Sequence, residues 1–437
     1  MILPHYITDI IGTLEKAGYE AYVVGGCVRD ALLELKPKDY DIATNALPET
    51  VLQLFSHTIP TGLKHGTVTV VSEQLVEITT YRTDSQYTDH RHPDAVSFVR
   101  SIKEDLARRD FTINAMAYHP QRGLYDPFDG QTDLKNGIIR CVGDPLRRFE
   151  EDALRMLRAH RFAARYHFQI EQSTKQAMEQ KASLISCVSV ERIRKEVIGI
   201  LEANPYEIEN MTQLLSDWIP ELELCRACAQ STPYHDCNVL HHSLRAVALL
   251  EPFDETLAYT LLMHDLGKPM CKSTKNNNDH FYGHAKIGAR IARRICHDWK
   301  LTNVQKKTIE SLILYHDAAM DEPLSFIHDF RIRLHWTDQR LRQLFEIKRC
   351  DIMAHSAYGQ KTINQLTALE KVYDACVSAR PMALKDLAID GNDVMIGCQL
   401  QGQAIQQALQ DALSYAFYHP SENKKESLIQ YLKGRRA

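Results

Sequence analysis

Two acidic residues one position apart, Asp39 and Asp41, close the stretch VVGGCVRDALLELKPKDYD, which begins with a short apolar run ending in two glycines. Paired carboxylates suit Mg²⁺, which takes a few carboxylate oxygens and completes its octahedron with waters and substrate phosphates. If Tyr40 is extended, both carboxylates point to one side of a strand. Gly25 and Gly26 lack the Cβ atoms that hold a backbone away from a phosphate. A helix over Val28 to Leu35 offers free N–H groups and a positive dipole end, with Arg29 as a fixed cation. Acids facing a phosphate-binding turn are what Mg²⁺-dependent phosphoryl or nucleotidyl transfer requires. Each half alone is ordinary, a turn or a solvated loop; their order and spacing give them weight.

Further along, Arg108 and Arg109 can clamp phosphates, and Asp110 or Asn114 can hydrogen-bond a ribose hydroxyl. The run from Glu151 to Tyr166 reads as one helix. On an ideal helix Asp152, Arg155 and Arg158 share a face and Arg161 lies round the side. Alone, that row is a solvated, charged face with i,i+3 pairs. It has a sharper use: a carboxylate accepts from an exocyclic amine, while a guanidinium donates to ring nitrogens and carbonyl oxygens. An Asp–Arg pair therefore satisfies both C and A and mismatches G and U, which would select bases without a nucleic-acid template. On the β-like run Val76 to Tyr81, alternation turns Glu77 away from the core, either as an ordinary exposed glutamate or towards Asp39 and Asp41.

A second constellation comprises His242, His264-Asp265, His284, His316-Asp317 and Asp351. One buried histidine is commonly structural, but a His-Asp pair with further His and Asp donors on helices is a metal-ligand pattern. Such a set suits Mn²⁺, Ni²⁺, Co²⁺, Zn²⁺ or Fe²⁺. Cys225, Cys228, His235 and Cys237 are spaced too tightly for a usual zinc finger and read as stray thiols, with His235 near the histidine set.

The elements that position these groups fall into two regimes. Up to about residue 135, short β-branched runs such as Thr67 to Val71 alternate with helical ones, a small mixed sheet with helices. From about Pro145 strand signals fade, so the expected fold is α+β: a mixed-sheet head followed by an elongated, nearly all-α body. The chain has 437 residues, room for three or four domains, and a net charge of −4, so any RNA site must be a local patch. The N-terminus reads as an amphipathic helix, not a signal peptide, and no apolar run is long enough to span a membrane. Eleven scattered cysteines fit reduced thiols in a cytoplasm.

GGCVRD followed by DYDIAT resembles the signature of class II tRNA nucleotidyltransferases, the CCA-adding enzymes of the DNA polymerase beta superfamily. RRDFTINAMAY resembles that family's ribose-selecting motif, EDALRMLRAHRF its base-selecting motif, and ERIRKE, from Glu191, the motif that braces the selecting helix. The resemblance implies that Asp39 and Asp41 hold Mg²⁺, with Glu77 as third carboxylate. Gly25, Gly26, Arg29 and Arg109 would hold the nucleotide, and Asp110 and Asn114 the ribose. Asp152 and Arg155 would read the base, supported by Arg158 and Arg161. The substrates implied are CTP, ATP and the 3′ end of tRNA. The polar segment Arg82 to Glu104, with Asp84, Asp89, His90, Arg91, His92, Pro93 and Asp94, matches a family loop that favours adding the terminal A. PTGLKHGTVTV, from Pro60, lacks the basic sequence usual in bacterial poly(A) polymerases.

The histidine set resembles the HD superfamily of metal-dependent phosphohydrolases. That likeness implies one metal at His242, His264, Asp265 and Asp351 and a second helped by His284 and His316, with phosphatase or cyclic phosphodiesterase activity. Asp126 to Gly130 resembles the family's hinge, and Asp386 to Gly397 its tRNA-gripping tail, which ends in Lys424, Lys425, Lys433, Arg435 and Arg436. The expected domains are a catalytic head (1–136), a neck (137–204), a helical body with the HD domain (205–379) and a tail (380–437). The alternatives are an A-adding or poly(A) enzyme, a phosphohydrolase with an accessory head, and an RNA-binding module with dead sites.

Overall fold

The structure is a computed structural model that describes residues 1–84 and 96–435. Asp89, His90, Arg91, His92, Pro93, Asp94 and Arg436, with the side chain of Asp84, lie outside the described residues. The chain divides into two compact units, 1–217 and 218–437.

The first unit carries a seven-stranded mixed sheet. Its strands are β1 (Ala21–Val24), β2 (Asp41–Thr44), β3 (Thr58–Gly62), β4 (Thr67–Val71), β5 (Leu75–Thr80), β6 (Ala117–His119) and β7 (Gly123–Tyr125). They lie in the order β3-β4-β5-β2-β1-β6-β7, with β2 and β5 parallel and the other pairs antiparallel. Val24, Ala43, Tyr81, Leu106, Ala115, Ala117 and Val142 form one of its buried clusters. Beyond the sheet the unit is mostly helical, as the fading strand signal predicts, with two short strand pairs, Arg82–Asp84 with Val96–Phe98 and Ile138–Ile139 with Gln169–Ile170.

Two local differences from the sequence reading matter for the site. The N-terminal helix runs over His5–Lys16; the helix after the glycine turn, α1 (Gly26–Leu32), starts two residues early, because Gly25 takes φ 77° and turns the chain straight from strand to helix. The run from Glu151 to Tyr166 is two helices: α2 (Pro145–Glu151) ends at Asp152, and α3 (Leu154–Tyr166) follows. Asp152 is extended (φ −148°, ψ 102°), and its Oδ1 accepts the Leu154 N–H at 3.1 Å. Aspartate favours such capping over a helix interior, which explains the break. Asp152 therefore does not share a helical face with Arg155 and Arg158. The α3 helix buries Leu154, Met156, Leu157, Phe162 and Ala163, and ends at His167 in left-handed conformation.

The second unit is nearly all helical, with one short hairpin at Ser273–Lys275 and Asn278–His280. Its site is framed by α4 (Val239–Ala248), α5 (Glu255–Met263), α6 (His284–Asp298), α7 (Asn303–Tyr315) and α8 (Asp338–Ala354). The turn after α5 approaches α6 so closely that a Cβ on Gly267 would lie 2.2 Å from the His284 carbonyl oxygen. The last three helices close a small core around Val394, Ala412, Ala416 and Leu428. No helix among the described residues is long and apolar enough to cross a membrane.

Candidate active site

In the head, sheet register brings the acids together. Asp41 opens β2 and pairs with Val24 on one side and with Glu77 on the other. Glu77 lies between the buried Val76 and Ile78 and is exposed, so it shares the open face with Asp41. Asp39 precedes the strand: β1 ends at Val24, opposite Asp41, and the turn at Gly25 leaves Asp39 without a ladder partner. Crowding by the surrounding protein, then the negative charge of Glu77, push the Asp41 carboxyl up to about 6; Arg109 opposes the rise and Asp39 adds to it. A carboxylate that burial and neighbouring acids both hold back from ionising fits a divalent cation, which offsets both. This acidic set is looser than the metal-like groups of the second unit, where all the sets of three donors within 4.8 Å of one another fall among the described residues.

The glycine turn is shaped by arginines. A Cβ on Gly25 would lie 2.7 Å from Arg109 Nη1, and one on Gly26 would lie 3.4 Å from Arg29 Nη2. Arg109 keeps a long 3.4 Å contact to Asp105 Oδ2 and is partly open. Arg29 is buried. Its Nε and Nη2 donate to Asp30 Oδ1 at 2.9 and 2.7 Å, its Nη1 donates to Asn114 Oδ1, and its guanidinium lies over the Phe162 and Tyr166 rings of α3. The open cation at the turn is thus Arg109, and Arg29 ties the turn to α3.

The ribose-motif residues meet the same helix. Asn114 Nδ2 donates to Asp110 Oδ1 at 3.0 Å, and Arg158 Nε and Nη2 donate to Asp110 Oδ2 at 2.9 and 2.7 Å. Burial would raise the Asp110 carboxyl, but Arg158 and Asn114 outweigh it and hold it at about 2. Asp152 and Arg155 do not pair with each other. Asp152 accepts from Arg192 at 3.2 and 2.8 Å. Arg155 donates to Glu151 Oε2 at 2.8 Å and to the carbonyls of Arg148 and Arg108 at 3.2 and 3.1 Å. Arg161 is held by Glu196. The bracing role read in ERIRKE falls on Arg192 and Glu196. Glu151 and Tyr166, whose hydroxyl donates to Asp30 at 2.8 Å, carry no signal in the sequence beyond their motif.

In the second unit the histidine set converges. His242 (α4), His264 and Asp265 (after α5) form one group of possible donors, and Asp265, His284 (α6) and His316 (after α7) form another. Asp265 is common to both. His264 Nε2 lies 3.2 Å from Asp265 Oδ2, while His284 and His316 lie 3.5 and 3.7 Å from Oδ1. Asp351 (α8) stands 2.8 Å from His242 and 3.5 Å from His264. The Nδ1 atoms of His264, His284 and His316 lie 2.7, 2.8 and 2.7 Å from carbonyls three residues back. That contact makes Nδ1 the donor and leaves each Nε2 as the atom turned to Asp265, where a proton or a cation can sit.

Both carboxylate oxygens of Asp265, and His264 Nε2, are buried without a hydrogen-bond partner; Lys268 Nζ approaches Oδ2 at 2.7 Å but lacks hydrogen-bond geometry. Orphaned acceptors around a shared carboxylate fit a pair of divalent cations. Cys225, Cys228 and Cys237 join none of these groups. Sequence reasoning missed Lys268 and His355, the latter one helical turn past Asp351.

Comparison with known proteins accords with both sites. Residues 21–140 match the model of the Poly A polymerase head domain, 167–223 a probable RNA and SrmB-binding site of polymerase A, and 234–363 the HD domain. A CCA-adding enzyme of Lactobacillus helveticus is 39% identical over 317 residues, covering 71% of each chain. The chain belongs to the family of CCA-adding enzymes. The Limosilactobacillus fermentum CCA-adding enzyme is 54% identical over 193 residues, 44% of this chain; there the chain spans about half of that relative's length, 48%. The crystal structure of a Bacillus stearothermophilus CCA-adding enzyme in complex with CTP is 30% identical, with a TM-score of 0.70 over 100% of this chain and 98% of that one.

Two variants test the head's geometry. Gly25→Ala forces a side chain into a left-handed position and displaces Arg109, so nucleotide incorporation should fall about 100-fold with circular dichroism unchanged; normal incorporation would place Arg109 outside the site. Arg158→Met leaves the Asp110 carboxylate buried without its cation. Because Arg158 is a third exposed, the loss is about 2–3 kcal/mol at neutral pH, less than for a fully buried pair. The depressed Asp110 pKa contributes stability that is full above about 4 and vanishes as pH falls through about 2. Urea unfolding should therefore show the deficit at pH 7 and a smaller one at pH 3.

Proposed function

We propose that this chain adds C and A residues to the 3′ end of tRNA from CTP and ATP, releasing pyrophosphate, without a nucleic-acid template, and that it does so in the cytoplasm. The observation that carries the reading is the in-register pairing of Asp41 with Glu77 beside the Gly25–Arg109 turn, in a chain of this family. Asp39 and Asp41, with Glu77 adjacent, would hold Mg²⁺, which supplies activation of the attacking 3′-hydroxyl and charge neutralisation on the phosphates. Gly25 and Gly26 let the triphosphate approach the backbone, and Arg109 provides the open positive charge. Asp110 and Asn114 accept from and donate to the ribose hydroxyls, the former favouring a substrate with a 2′-OH. Asp152 and Arg155 read the base edge, steadied by Arg192 and Glu151, and Arg158 and Arg161 hold the surrounding helix in place.

The buried oxygens of Asp265, which have no hydrogen-bond partner, together with the histidines around them favour a second activity, metal-dependent phosphate-ester hydrolysis in the HD domain. There His242, His264, Asp265, His284, His316 and Asp351 would hold divalent transition metal, which supplies a nucleophilic hydroxide and polarises the ester.

Sequencing of tRNA 3′ ends after incubation with CTP and ATP tests both readings when combined with an Asp39→Ala/Asp41→Ala variant. Wild-type protein should restore CCA, and CTP alone should stop at CC. The variant should add nothing yet release phosphate from p-nitrophenyl phosphate with Ni²⁺, an activity that chelation abolishes. Addition of A alone or of long A tails would overturn the first reading, and loss of phosphate release in the variant the second.

A further inference from the structure

The HD cavity contains a histidine group beyond the two that share Asp265. His235, in the loop before α4, His242 and His355, just past α8, each offer a ring nitrogen within 4.8 Å of the other two. Their ring centroids are 4.7, 4.6 and 5.1 Å apart, and the His242 and His355 rings are nearly parallel. Nitrogen ligands at about 2.0–2.1 Å from a tetrahedral cation stand about 3.3 Å apart, so a small inward shift completes such a site.

The hydrogen bonding of these rings sets them apart. His264, His284 and His316 each have Nδ1 within hydrogen-bond distance of a carbonyl oxygen. The Nδ1 atoms of His235, His242 and His355 are all buried with no partner. Buried imidazole nitrogens in native proteins find a partner, and a cation is one that three touching rings can share; Lys268 Nζ meets His235 at its other nitrogen, 3.4 Å from Nε2. His235 and His355 also line the cavity of about 690 Å³ that holds Asp265, His284 and His316, which gives an ion a route in and an open coordination position. Asp351, 2.8 Å from His242 and 3.6 Å from His355, supplies negative charge at its edge.

We propose that His235, His242 and His355 form a third cation site, separate from the Asp265-centred pair and selective for borderline metals such as Zn²⁺, Ni²⁺ or Co²⁺. Three imidazole nitrogen donors disfavour Mg²⁺ and Ca²⁺, which prefer oxygen. His242 is shared with the neighbouring site, one ring nitrogen to each ion, and its remaining ring proton leaves to solvent when both are filled. The inference does not depend on the nucleotidyl-transfer reading.

The test counts metal on the full-length chain, stripped with a chelator and reloaded with Zn²⁺. The wild type should hold three equivalents, and His235→Gln and His355→Gln should each hold two with circular dichroism unchanged. His264→Gln should lose an ion from the Asp265 pair and keep the third. Titration of the wild type with Co²⁺, followed by its visible absorption, needs no variant and should show three binding steps. Two equivalents in the wild type and two steps in the Co²⁺ titration would overturn the proposal, as would full occupancy in both glutamine variants.

Discussion

The head depends on keeping its buried charges paired. Arg29, Asp110 and Arg155 are each less than a tenth exposed, and a charge so placed is tolerable only with a partner in reach. The partners come from different parts of the chain: Asn114 joins Arg29 to Asp110, and Arg158 of α3 closes the series. Stacking of Arg29 on Phe162 and Tyr166 adds a second tie to the same helix. The consequence is mechanical. The glycine turn proposed to face the phosphates, and the motif and helix proposed to face the ribose and the base, cannot move independently. On the proposed reading, phosphate, sugar and base would be measured by one rigid body, which is what template-free selection demands.

The second unit meets the same constraint differently. Asp265 is fully enclosed, and the carboxylates around it find histidines in place of arginines. Burial disfavours charge on His264, but Asp265 and Asp351 outweigh it and lift its pKa to about 10, while Asp265 itself is driven well below its usual range despite burial. A proton and a metal ion compete for one set of lone pairs, and the orphaned Asp265 oxygens mark where a cation rather than a proton is the better fit.

Much of this was legible in the sequence because it is local. The RRD motif and the HD pair each lie within a few residues and the GG–Arg–Asp-x-Asp set within one strand–helix–strand turn, Gly25 to Asp41, and alternation alone turned Glu77 outward. What escaped notice depends on long-range pairing. Asp152 fits a helical pattern as well as it fits a cap, and its partner Arg192 stands forty residues away on another helix. The strand register that excludes Asp39 is set by where β1 ends. Arg29 reads as a phosphate cation from its place beside two glycines; its burial under two aromatic rings comes from α3, which sequence proximity does not reveal. His235 and His355 are more than a hundred residues apart, and only the packing of α8 brings them to one point.

In the proposed reaction, protein side chains alone would distinguish C and A from U and G. Equilibrium binding of the four nucleoside triphosphates to the chain without RNA, by calorimetry in the presence of Mg²⁺, tests it directly. CTP and ATP should bind at least about ten times more tightly than UTP and GTP. Equal affinity for all four would mean that the choice is made by the RNA end, and would contradict that reading.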